Sequence, residues 1–124
     1  MSLVLIVEDN EKNMKLARDI LKAKGYETVE AVTGEEGVKL AKEKKPDLVL
    51  MDIQLPGING IEAFKQIRAD AKTARIPVIA LTASVTPTDR SQITAAGFDA
   101  FVSKPISLKE FVATVKRLVE GGKK

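Results

Sequence analysis

Three acids, a hydroxyl and an amine stand at the ends of apolar runs, and together they could hold a cation and a phosphoryl group. Leu3-Val4-Leu5-Ile6-Val7 leads into Glu8 and Asp9, and Leu48-Val49-Leu50-Met51 into Asp52. Ile76 through Leu81 leads into Thr82, and Ala100-Phe101-Val102 into Ser103-Lys104-Pro105. Two carboxylates about 4 Å apart repel by roughly 4 kcal/mol at an effective dielectric of 20. Glu8, Asp9 and Asp52 brought together would therefore need protons or a hard cation between them. The chain has no cysteine and no histidine, so the donors are oxygens alone, which points to Mg²⁺ with Mn²⁺ as a substitute. Such an ion keeps water or phosphate in part of its shell. A hydroxyl (Thr82) and a cation (Lys104) opposite the metal are what phosphoryl oxygens need. An aspartate at the end of a central strand can itself attack phosphorus and form an acyl phosphate, and Asp52 is best placed to do so.

These residues converge only if the runs they end are parallel strands of one sheet, whose ligands bind at the carboxyl edge. The pattern supports that. Runs of strand length near 3–7, 27–31, 47–51, 76–81 and 99–102 alternate with helical patterns near 10–24, 34–44, 58–70, 87–96 and 108–120. Met14, Ala17, Ile20 and Leu21 recur at helical spacing in the first helix, and Leu108, Phe111, Val112, Val115, Leu118 and Val119 in the last. Thr33 with Glu36, and Ser107 with Glu110, read as capping boxes, and Thr86-Pro87 as a cap followed by a first-turn proline. Gly25 and Gly97 stand where helices should stop. The alternation predicts an α/β fold: a flavodoxin-like, doubly wound, five-stranded parallel sheet with five helices on its two faces. Runs one, three and four are apolar almost throughout, as central strands should be. Glu27-Thr28-Val29-Glu30-Ala31 is polar enough for an edge, giving the order 2-1-3-4-5 with strands one and three side by side.

Composition narrows the function classes. A chain of 124 residues suits one domain, read here as residues 1–120 followed by a short flexible tail at 121–124. No apolar run approaches the roughly 20 residues that span a bilayer, and no signal peptide is evident, so a cytoplasmic protein without a membrane role is expected. The absence of histidine removes the usual general base and any phosphohistidine of the chain's own. A net charge of +3 invites nucleic acid, but Lys and Arg are scattered among the acids with one Tyr and no Trp, which argues against direct nucleic-acid binding.

Glu8-Asp9, Asp52 within Met51-Asp52-Ile53-Gln54-Leu55-Pro56-Gly57, Thr82-Ala83 and Lys104-Pro105, taken jointly, resemble the receiver domain of two-component response regulators over essentially the whole chain. The stretch Glu8-Asp9-Asn10 and the length are similar to the small, single-domain cell-cycle and chemotaxis receivers. The resemblance implies that Asp52 accepts the phosphoryl group. It implies that Asp9, Asp52 and the backbone carbonyl of Gln54 bind Mg²⁺, with Glu8 helping through water. Thr82 and Lys104 would contact the phosphoryl oxygens, Phe101 would be the switch aromatic, and the Lys104–Pro105 peptide would be cis. Gln54 and Ser84 occupy positions that tune dephosphorylation in relatives. Neither is a group that aligns water strongly, which implies a phosphorylated state that is not extremely short-lived. Glu8 stands where many members have Asp, and Phe101 lacks the hydroxyl of the more usual Tyr. The donor would be a histidine kinase or phosphotransfer protein and the output a downstream protein target, reached through the face of helix four, strand five and helix five. The chain would be a monomer or weak homodimer and not an enzyme beyond its own phosphorylation and dephosphorylation.

The alternative is a phosphatase or phosphotransferase that forms an aspartyl phosphate on a related fold. Such enzymes place an acid two residues after the nucleophile, where this chain has Gln54. Each residue alone has a plainer reading. Glu8 and Asp9 suit a helix N-terminus, Thr82 a strand end, Lys104 a solvated surface and Phe101 the core. Only their combination argues for a site.

Overall fold

The order in which apolar and helical segments alternate is realised in a computed structural model that describes residues 2–55, 57–83, 87–104 and 106–121. Five strands and five helices alternate: β1 (Leu3–Val7), α1 (Glu11–Ala23), β2 (Glu27–Ala31), α2 (Gly34–Lys44), β3 (Leu48–Asp52), α3 (Gly60–Ala69), β4 (Val78–Thr82), α4 (Pro87–Ala96), β5 (Ala100–Ser103) and α5 (Leu108–Gly121). The strands are all parallel in the order β2-β1-β3-β4-β5, the flavodoxin-like arrangement expected from the sequence. Both β3 and β4 are buried along their whole length, whereas β2, with exposed Glu27 and Glu30, lies at the edge.

Alternation along the strands divides the core into two layers. Val4, Ile6, Leu48, Leu50, Ile79, Leu81 and Val102 meet α1 and α5 on one face through Met14, Ala17, Leu21, Phe111, Val115 and Val119. Leu5, Val7, Val49, Met51 and Val78 meet α2 and α3 on the other through Val38, Ala41, Ala63, Phe64 and Ile67. Burying a side chain of this size contributes about 1.5–3 kcal/mol, so the sheet is held from both sides and its carboxyl edge is a rigid rim.

Element ends differ from expectation by one or two residues, each for a local reason. Pro77 has no N–H to give a ladder, so β4 begins at Val78 and extends to Thr82. Asp47 and Asp99 do not extend strands but cap their entries. The Asp47 carboxylate accepts from Leu3 N–H at 2.8 Å, and that of Asp99 from Val78 N–H at 2.8 Å. Asn10 and Asn59 are helix caps, accepting from the N–H groups of Asn13 and Glu62 at 3.1 and 2.9 Å. The Thr33 cap forms as expected, with Glu36 N–H donating to its hydroxyl at 3.1 Å. The return bond of the box differs: the Glu36 carboxylate accepts from Val32 N–H instead of from Thr33. Gly25 and Gly97 take φ of +89° and +99°, ending helices as anticipated. Thr86, Ser84, Pro105 and residues 122–124 lie outside the described residues.

Arg68 carries a tie that the sequence did not signal. Its guanidinium pairs with Asp99 at 2.6 Å, donates to the Ile76 carbonyl and lies 4.7 Å over the Phe64 ring. Phe64 stacks in turn on Phe98 at 4.0 Å, fixing α3 to the segment before β5. The cap at Asn10 gives a direct check on how firmly the chain leaves the rim. Asn10→Ala should cost about 1 kcal/mol in a urea melt, from the loss of one helix-end acceptor.

Candidate functional site

Register alone carries the polar residues to one place. Val7 pairs with Met51, Asp52 with Leu81, and Thr82 with Ser103, so Glu8, Asp52, Thr82 and Lys104 fall in adjacent positions along the carboxyl edge. Backbone bonds continue the ladder past the strands. Ile53 N–H donates to the Leu81 carbonyl at 3.0 Å, and Lys104 N–H to the Thr82 carbonyl at 2.8 Å.

Carboxylate oxygens of Glu8, Asp9 and Asp52 lie within 4.8 Å of one another. Glu8 and Asp52 are almost fully buried, at 1% and 2% exposure, while Asp9 is exposed. The Lys104 ammonium lies between the two buried acids, 2.7 Å from Glu8 Oε1 and 3.1 Å from Asp52 Oδ2. One positive charge among three acids leaves the site net negative.

Local bonds aim these groups. The Gln54 N–H donates to Asp52 Oδ1 at 3.1 Å, and the Asn10 N–H to Glu8 Oε2 at 3.1 Å. Glu8 Oε1 is buried and, among the described residues, accepts no hydrogen bond of proper geometry, its neighbour being the Lys104 charge. Thr82 is buried at the rim beside them. Phe101 is half-buried on β5, its register partner is Ala80, and the Arg90 guanidinium covers its ring at 4.9 Å. Gln54, the second residue after Asp52, is exposed, so its amide faces solvent.

Burial pushes the Glu8 carboxyl up to about 7, helped by its hydrogen bond with Asp52 and opposed by Lys104 and the Asn10 N–H. Desolvation works against the Lys104 charge. Its bonds to Glu8 and the charge of Asp52 outweigh that and hold the ammonium above its ordinary value. A stability consequence follows for the metal-free protein. Between 4.5 and about 7 the folded state binds more protons at Glu8 than the unfolded chain does. Stability therefore falls as pH rises through that window, by about 3 kcal/mol at most. Denaturant melts at pH 5 and pH 8 should show this slope, and Glu8→Gln should flatten it. An equal slope in the variant would assign the titration elsewhere.

The donor set fits a hard cation. It consists of oxygens only, converging from two adjacent strands, with two of the three carboxylates almost fully buried.

The model of the response regulator receiver domain matches residues 4–116. The chain belongs to the response regulator receiver family. The polar-differentiation response regulator DivK of Brucella anthropi is 50% identical over 113 residues, covering 91% of this chain and 92% of DivK. A response regulator from Chloroflexus aurantiacus superposes with a TM-score of 0.92 at 29% identity, covering 96% of this chain and 98% of that one. The receiver domain of the sensor histidine kinase PA1611 from Pseudomonas aeruginosa, solved with magnesium coordinated in its active-site cleft, gives 0.90 at 32% identity over 96% and 98%. This receiver is thus a signalling domain phosphorylated on aspartate, and its donor is a histidine kinase or phosphotransfer protein. The alternative of a phosphatase or phosphotransferase is not favoured. Among the described residues, no helix of the receiver is long and apolar enough to cross a membrane.

Proposed function

We propose that Asp52 is the phosphoacceptor of this receiver. The observation that supports it most is the seating of the Lys104 ammonium 3.1 Å from the Asp52 carboxylate, at the rim where Glu8 and Asp9 also converge. In the reaction a carboxylate oxygen of Asp52 attacks phosphorus, the bond from phosphorus to the donor's imidazole nitrogen breaks, and the donor leaves with the electron pair. Glu8, Asp9 and Asp52, with the backbone carbonyl of Gln54, would hold Mg²⁺ or Mn²⁺, which supplies charge for the phosphoryl oxygens. Lys104, seated between Glu8 and Asp52, and Thr82 at the end of the adjacent strand would contact those oxygens. The Gln54 N–H keeps Asp52 Oδ1 oriented, leaving Oδ2 towards Lys104.

Phosphorylation adds about two negative charges and three acceptors. The Thr82 hydroxyl turns towards them, and the Phe101 ring follows into the space left behind. The face of α4, β5 and α5 then changes, and a downstream protein binds it. Such coupling is typically 1–3 kcal/mol, so the partner stabilises the phosphorylated state reciprocally. Gln54, an exposed amide and not an acid, and Ser84 set a phosphate lifetime that is not extremely short. The receiver is residues 1–120, a cytoplasmic monomer or weak homodimer that does not bind nucleic acid directly and catalyses nothing beyond its own phosphorylation and dephosphorylation. Incubation with acetyl phosphate and Mg²⁺ should add one phosphoryl group, placed at Asp52 by mass spectrometry. Label on two residues would defeat the assignment.

A further inference from the structure

Helix α3 begins hard against the peptide that follows Asp52, and only a glycine lets it do so. A Cβ on Gly60 would lie 2.1 Å from the Asp52 carbonyl oxygen, 2.9 Å from its carbonyl carbon and 2.8 Å from the Ile53 Cα. All three are backbone atoms of β3 and its exit, so no side-chain rotation could relieve the overlap. The Gly60 N–H also donates to the Ile53 carbonyl at 3.0 Å, while Ile53 N–H is held by Leu81 on the next strand. Ile53 is therefore held at its N–H by β4 and at its carbonyl by the first turn of α3, whose start also packs directly on the Asp52 carbonyl. Gln54, whose N–H orients the Asp52 carboxylate, is the next residue along.

We propose that Gly60 is a positioning residue for the phosphoacceptor: its lack of a side chain lets the start of α3 fix the Asp52–Ile53 peptide, and through it the Asp52 carboxylate and the Gln54 backbone. The inference rests on the reading of Asp52 given above. Substitution must move α3 outward or tilt the Asp52 peptide, because the atoms in conflict are backbone on both sides. The first response breaks the Gly60–Ile53 hydrogen bond and releases Gln54, and the second turns the carboxylate itself. Either way the reacting oxygen leaves its place, and a misplacement of about 1 Å can cost about 10²-fold in rate.

The test compares Gly60→Ala with Ile67→Ala, a change in the same helix that removes buried core volume near its far end. Both are measured at a temperature where circular dichroism shows them folded. Gly60→Ala should weaken Mg²⁺ binding, read from amide shifts with the ion alone, by about tenfold or more. It should also slow phosphorylation by acetyl phosphate by about 10²-fold at saturating Mg²⁺. Ile67→Ala should lose melting temperature and keep both values. Should Gly60→Ala fail to fold, Asn59→Ala loosens the same first turn by removing the acceptor of Glu62 N–H without adding an atom, and should weaken both readouts several-fold. Unchanged Mg²⁺ affinity and rate in a folded Gly60→Ala protein, or in Asn59→Ala where Gly60→Ala does not fold, would overturn the proposal, as would an equal loss in Ile67→Ala. Failure of the Asp52 reading is separate, since it shows as label persisting in Asp52→Asn.

Discussion

Asp52→Asn protein is expected to take up no phosphoryl group from acetyl phosphate and Mg²⁺, under conditions where the native chain takes one. An amide lacks the charged oxygen that attacks phosphorus, and the other acids of the site are poorly placed to substitute. Glu8 Oε1 is committed to Lys104 and its second oxygen to the Asn10 N–H, while Asp9 is exposed. The same variant should be more stable than the native chain when metal is chelated at pH 8. It loses repulsion from two acids and attraction to one lysine, a net relief of about 1 kcal/mol, or about 4 °C in melting temperature. Adding Mg²⁺ should narrow the difference, because the ion stabilises the native site through ligands the variant no longer offers in full. A lower melting temperature in the chelated variant would mean that Asp52 contributes more through Lys104 than it loses to its neighbours.

Lys104→Ala should be the most destabilising single change at the rim, by about 3 kcal/mol at pH 8. The ammonium is the partner of both buried acids, and its loss leaves them facing each other without a cation. The cost should shrink at pH 5. Without Lys104 the Glu8 carboxyl moves further above its already raised value, so the folded variant takes up a proton that the unfolded chain lacks. Mg²⁺ should recover part of the loss by supplying the missing positive charge, which separates electrostatic collapse of the site from damage to packing. Phosphorylation by acetyl phosphate should fall as well, since an oxygen of the incoming group loses its cationic contact. An equal destabilisation at both pH values, with no response to Mg²⁺, would assign Lys104 a packing role instead.

Much of this site was legible because each element carries a strong local signal. The period-two and period-3.6 patterns place β1, β3 and β4 centrally, and the polar residue that ends each run marks the rim. Element ends were less legible. Asp47 and Asp99 look like strand residues in one dimension, but each has a carboxylate that caps a neighbouring strand's first N–H. Arg68 reads as an ordinary charge on an amphipathic helix, because its partners Asp99 and Ile76 are remote from the pattern that defines α3. Gly60 follows a capping asparagine and looks like turn chemistry. Its nearest atoms belong to Asp52, a relation that no local spacing contains.

The amino-acid order by itself determined which residues could take part, because hydrophobic periodicity and chain direction assign every strand's carboxyl end without reference to neighbours. It determined the oxygen-only chemistry too, since a chain lacking cysteine and histidine offers a hard cation nothing else. Tertiary structure alone decided how the charges share the space. Lys104 bridges Glu8 and Asp52, Glu8 is buried deeply enough to hold a proton near neutrality, and Arg90 covers Phe101. Those outcomes depend on distances and on exclusion of water across strands far apart in the chain, and both arise only when the two core layers close on the sheet.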